Sequence, residues 1–390
     1  MKPRTLAILA VATIVFVVAA IVVGSRTPAY TGSTGGQLVF PDLAARINDA
    51  AKLIVQTADH SFTVVRTDKG WALADKHGYP AKFDQVKGTL VALAQLKTAE
   101  AKTAEPSLYP RLEVEDMSQK GAKGELLTVE DGKGDKLASL ILGKRHYGRG
   151  AEQAIELYVR KAGEAQSWLA SGTLERADDV KAWLVRDVVS LERDRVREVT
   201  VTPAGDKAFT LSKAKAGEGD FTLAELPDDS KLKSPYDLNA LAGVLGLLLL
   251  DDVLPAAELK ADAKPVTTLE YKSFDGLVVE LALVEQDGKA WAKIKAAYSP
   301  EGTPPAAAEP AKGEPAKGEA EKAAAKTAET PAPAADKAKP KSADEVKNEA
   351  AAINERGKDW LFGLAANDLA TLEKKLPDLI EPKDKTKPKS

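Results

Sequence analysis

From Leu6 to Val23 the chain runs eighteen residues without a charge, and Thr13 is its one polar interruption. At about 1.5 Å of rise per residue, a helix of that length covers roughly 27 Å, close to the hydrocarbon thickness of a bilayer. Lys2 and Arg4 precede the run, and Arg26 is the only charge between it and Asp42. That bias predicts a cytoplasmic N-terminus and an extracytoplasmic body on a single-pass anchor, residues 1–25. Val22 and Gly24 poorly satisfy the small-residue rule for a cleavage site, so the anchor is expected to be retained. Thr27 to Gln37 is uncharged and rich in glycine and proline, which predicts a flexible stalk over residues 26–39.

Beyond the stalk the pattern shortens to period two. Strands are predicted at Lys52–Thr57, Phe62–Arg66 and Trp71–Ala74, with a turn at Asp68-Lys69-Gly70. After Pro80 the period becomes helical, with Phe83, Val86, Leu90 and Leu93 forming one apolar stripe. Strands follow at Leu126–Glu130, Leu137–Leu142 and Ile155–Arg160, with a loop through His146 to Gly150, and a second helix is predicted over Thr173–Trp183.

The same order then recurs. Val199 and Val201 match the first strand, Phe209 and Leu211 match Phe62 and Val64, and Phe221 and Leu223 match Trp71 and Leu73. Pro235, Leu238, Leu241, Leu245 and Leu248 repeat the spacing of Pro80, Phe83, Val86, Leu90 and Leu93. Strands are predicted at Thr267–Lys272, Leu277–Val284 and Lys289–Lys295, with hairpin turns at Asp275-Gly276 and Asp287-Gly288. Lys358-Asp359-Trp360-Leu361 echoes Lys181-Ala182-Trp183-Leu184. The expected fold class is α+β: a transmembrane helix, then two tandem copies, 40–195 and 196–380, each an antiparallel sheet packed with helices. An insert of Ala, Pro, Lys and Glu at 299–342, between the last strand of the second copy and its closing helix, and a tail at 381–390 are expected to be disordered, with transient helix over Ala320–Ala328. Leu238–Leu250 is apolar, but at about 20 Å it is too short to cross a bilayer and reads as a buried helix.

Composition adds limits. The 390 residues allow two or three domains, and a net charge of −3 offers no basis for nucleic-acid binding. There is no cysteine, so thiolate chemistry and disulfides are excluded. His60, His77 and His146 sit in predicted turns, without metal-ligand spacing between them. The acid pairs Asp178-Asp179, Asp228-Asp229 and Asp251-Asp252 read as caps and turns, and His146-Tyr147-Gly148-Arg149-Gly150 lacks the lysine and hydroxyl of a phosphate loop. The five tryptophans, Trp183 and Trp360 included, read as core anchors. No catalytic residue, cofactor-binding residue, metal ligand or cofactor is assigned; the marked positions are the anchor ends, Leu6 and Val23.

Gly70-Trp71, Tyr79-Pro80-Ala81, Leu93 to Lys97, Leu142-Gly143 and Tyr158-Val159-Arg160 stand in an order that resembles the bacterial domain of unknown function 4340 family. The resemblance covers residues 50 to 200 well and the second copy loosely. It implies one N-terminal membrane helix, an extracytoplasmic body and association with ABC-type transport systems of the gliding-motility kind, and it carries no catalytic residues. The long Ala/Pro/Lys insert departs from the family pattern. The expected function is therefore a non-catalytic accessory or scaffold protein of the bacterial inner membrane, with the lipid bilayer and an envelope or transporter protein as partners. The alternative expectation is a binding module for a lipid or glycan held between the two units. An envelope hydrolase is a third reading, disfavoured by the absence of catalytic motifs.

Overall fold

The computed structural model describes residues 36–147, 155–217, 219–224, 226, 230–300 and 340–381. The anchor Leu6–Val23, the Asp228-Asp229 pair, the final nine residues and nearly all of the insert lie outside them. Among the described residues no helix is long and apolar enough to cross a membrane. The protein is a mixed α and β structure with two antiparallel sheets and several helices, and it divides into two compact units between Trp183 and Leu184.

In the first unit β1 (Ala50–Gln56), β2 (Ser61–Thr67), β3 (Gly70–Leu73) and β4 (Tyr79–Pro80) form a meander. Helix α1 (Phe83–Gln95) and β5 (Lys97–Ala101) follow, then β6 (Glu125–Asp131), β7 (Lys136–Tyr147), β8 (Ile155–Lys161) and β9 (Ser167–Ser171). The sheet order is β4-β3-β2-β1-β6-β7-β8-β9-β5. Alternation does the burying: Leu53 and Val55, Phe62 and Val64, Leu127 and Val129, and Leu140 and Leu142 are all 3% exposed or less. Helix α1 adds Val86, Leu90 and Leu93, each gaining roughly 1.5–3 kcal/mol from leaving water. Leu126, Ile141, Tyr158 and Arg160 fall on the other strand parity. There Leu126, Ile141 and Tyr158 pack with Tyr109, Val114 and Met117 from the loop after β5.

The second unit contains β10 (Val196–Pro203), β11 (Phe209–Ser212), β12 (Thr222–Leu223), helix α2 (Pro235–Gly243), β13 (Leu250–Pro255), β14 (Pro265–Ser273), β15 (Leu277–Gln286) and β16 (Lys289–Tyr298). Helix α3 (Ala343–Gly357), β17 (Trp360–Leu364) and helix α4 (Ala366–Leu372) close it. Its sheet order is β12-β11-β10-β14-β15-β16-β17-β13. With β4 set aside, the two orders coincide strand for strand, and α1 and α2 occupy the same slot, each leading into the far edge strand. Irregularities coincide too: the ladder shifts between Ala50 and Lys52 in one unit and between Val196 and Glu198 in the other. A second pair of shifts falls at Thr98/Glu100 and Leu250/Asp252. Tyr271, fully buried on β14, donates to the Leu241 carbonyl at 3.0 Å and ties α2 to its sheet, and burial pushes its phenol far above the usual value.

The units differ where α3 stands. In the first, β8 turns directly into β9. In the second, β16 runs on to Tyr298 while β17 pairs it only at Trp291 and Ala292, leaving an open edge. Helix α3 covers that edge. The Asn354 side-chain amide accepts from Ala296 N–H at 2.9 Å and donates to the Ala296 carbonyl at 2.7 Å, standing in for a strand. Gly357 packs so close to the Ile294 carbonyl that a Cβ would lie 3.0 Å from it. A capping box at Ser342 and Glu345 starts the helix, and Arg195 grips Glu349 through two 2.9 Å bonds while also meeting Asp275.

Several expectations need correction. Thr173–Trp183 is not a helix; only Val180–Trp183 makes a single 3-10 turn. Its apolar anchors, Leu174 and Trp183, are nine residues apart and would fall on opposite faces of a helix, while the Ala177 N–H bonds Glu125 on β6 and the Ala177 carbonyl accepts from the Trp183 indole. Phe83 does not share the buried stripe of α1: it is the first helical residue and is 60% exposed. Pro80 lies in β4, whereas Pro235 is the first residue of α2, so that part of the spacing match is not structural. The Trp183 and Trp360 echo also fails, because Trp183 ends a 3-10 turn and Trp360 opens a strand. Leu238–Leu250 is helical only to Gly243, continues as a 3-10 turn to Leu247, and reaches β13 at Leu250.

Candidate functional site

Helix α1 lies with a groove along each flank. The larger, of about 330 Å³, has Ile47, Trp71, Phe83, Leu90 and Val91 as its apolar lining and Asn48, Arg66 and Lys87 as its polar members. Local sequence builds it. Gly70 takes a φ of 119°, which only glycine tolerates easily, and so turns β2 into β3 and sets Trp71 beside the helix. The Ala81 N–H donates to the Trp71 carbonyl at 2.8 Å, and the Lys82 N–H donates to the Trp183 carbonyl at 2.7 Å, which fixes the entry of α1 and leaves Phe83 standing in solvent. Arg66 donates to the Asn48 carbonyl at 2.9 Å. Among the described residues neither Arg66 nor Lys87 meets a carboxylate within ion-pair distance.

The opposite flank holds a groove of about 260 Å³ lined by Asp84, Gln85, Gly88, Leu174 and Glu175. Its charge is reversed. Gly88 sits inside the helix with nothing within 4 Å of where a Cβ would be, so the fold of this unit does not require a glycine there.

The remaining shared motifs hold the loop between β5 and β6. A Cβ on Gly143 would collide with the Leu112 carbonyl and lie 2.8 Å from Val114. Arg160, 3% exposed, lies over the Tyr109 ring at 4.5 Å and donates to the Val114 carbonyl at 2.8 Å and to Asp116 at 2.6 Å. Tyr158 packs edge-on against His146 at 5.9 Å.

Glu125, at the start of β6, is 2% exposed and accepts the Ala177 N–H at 2.8 Å. Burial pushes its carboxyl up to about 7; the Ala177 hydrogen bond opposes this, and nearby Asp178 adds to it. The group holds the 173–183 segment against the sheet and faces no groove described above.

The histidines do not converge. His60 shares a 3.1 Å contact with Thr57 Oγ1 and reaches the Asp178 carbonyl at 2.7 Å, while His77 occupies a left-handed turn position. His146 lies on β7 rather than in a loop, 3.0 Å from Glu156. Among the described residues no group of three or more His, Cys, Asp or Glu is placed to hold a metal ion. Asp251 and Asp252 lie on β13, where Asp251 pairs with Arg186 at 3.2 Å and Asp252 stands 3.8 Å from Lys289. Of the groove residues, sequence reasoning named Trp71 and Phe83 as core and passed over Arg66 and Lys87. The available signal was the first position of a helix, where a side chain has no preceding turn to cover it.

Fold and groove define a two-sheet α+β protein carrying an apolar, cation-rimmed surface groove in its first unit. The chain belongs to the family described as a domain of unknown function, DUF4340, which matches residues 71–270. No curated protein and no solved structure matches it. The matched range includes Trp71, Phe83 and Lys87.

Proposed function

We propose that this protein is a non-catalytic accessory or scaffold subunit, tethered to the bacterial inner membrane by Leu6–Val23, whose extracytoplasmic body docks another envelope protein. A transporter permease of an ABC-type system is the partner we favour. The observation that supports docking is the α1 groove: a phenylalanine 60% exposed beside an apolar floor is what a protein contact covers. The tether reading rests on the length and charge flanks of the apolar run. We also read the two units as copies of one ancestral unit, on the strength of the shared strand order and the coincident ladder shifts.

Affinity purification of the full chain from mild detergent tests the docking role. Recovery of a membrane transport subunit in stoichiometric yield is expected, and recovery of the protein alone contradicts it.

A further inference from the structure

The α1 groove also carries information about what fills it. We infer that it receives a segment of a partner protein that presents a bulky apolar side chain flanked by carboxylates. This rests on the docking role proposed above and names the chemistry of the partner.

The two charged residues lining the groove are Arg66 and Lys87, both cations and both exposed. Neither meets a carboxylate among the described residues, although ion pairs are frequent elsewhere in both units. Between them, Trp71, Phe83, Leu90 and Val91 offer apolar surface in a space of about 330 Å³, enough for one or two large side chains. An apolar floor rimmed by unpaired cations favours an acidic-apolar segment and rejects a basic one. Asp84 lines the other flank of the same helix, so a docked segment finds the opposite sign across α1 and has one preferred direction.

The test uses the full chain in detergent and two fluorescently labelled peptides, one with a central Leu-Phe pair flanked by glutamates and a twin with lysines in their place. Anisotropy is expected to show the glutamate peptide binding at least about fivefold more tightly, the scale of two exposed ion pairs. The double variant Arg66→Glu, Lys87→Glu should reverse that preference, and Phe83→Ser should weaken both peptides. All three positions are exposed, so folding is preserved and is checked by circular dichroism. Equal binding of the twins, or a preference unmoved by charge reversal, overturns the inference. Displacement of the peptide by phosphatidylglycerol vesicles that no longer bind the double variant also overturns it, in favour of a lipid surface. If the double variant still recovers the transport subunit at full yield, the groove assignment fails while the docking role stands; a wild-type chain that recovers nothing fails the docking role itself.

Discussion

Glu125 shows what one buried carboxyl costs. Its folded-state value of about 7 lies above the ordinary 4.5, so the folded protein favours the neutral form. The stability this group contributes is complete below pH 4.5 and is lost as pH rises through about 7. Glu125→Gln removes the dependence. Urea unfolding at about pH 5 and about pH 8 should show the variant gaining roughly 2–3 kcal/mol on the wild type between the two conditions. Two glycines make a sharper contrast. Gly143→Ala drives a Cβ into the Leu112 backbone and is expected to destabilise by ~3 kcal/mol or more, read from the urea midpoint. Gly88→Ala meets open space on a helix and should stabilise by ~0.5–1 kcal/mol. A stabilised Gly88→Ala chain that also loses its partner would mark Gly88 as a site of close approach.

Among elements, those with strict alternation were legible. β1, β2, β6 and β15 alternate Val, Leu or Phe onto their buried face, β14 does the same with Leu269 and Tyr271, and the sequence boundaries fall within a few residues of the observed ones. β5 (Lys-Thr-Ala-Glu-Ala), β9 and β13 were not legible: two of them lie at a sheet edge, where one side needs no apolar cover, so the alternation fades. Helix α3 stands where a closing helix was expected after the insert, but its role was not legible. It buries only Val346, Ala350, Ile353 and Gly357, and its main work is to seal the open edge of β16 through Asn354. Asn354→Ala strips the Ala296 N–H and carbonyl of their partners and is expected to cost ~1–3 kcal/mol. Light scattering should show greater self-association, because a bare strand edge pairs with another chain. Unchanged stability and scattering would mean that the helix backbone alone protects the edge.

For the whole molecule, the spacing of apolar residues predicted two copies of one unit, and the shared strand order of the two sheets, β4 set aside, supports the common origin proposed above. The tryptophan echo misled because it compared identities across two different elements. The groove was legible only in part: the first helical position marks Phe83 as uncovered, but the β2–β3 hairpin that brings Arg66 and Trp71 beside α1 is a tertiary arrangement that no local pattern records. A common origin predicts that superposing the two units overlays β1–β3 and β5–β9 on β10–β17 in sequence order. Docking outside the cytoplasm depends, above all, on which side of the membrane the body occupies. The chain has no cysteine, so one introduced at exposed Lys69 reports cleanly. A membrane-impermeant maleimide added to intact spheroplasts should label Lys69→Cys as fully as it does after lysis. Labelling that appears only after lysis puts the body in the cytoplasm and contradicts the account.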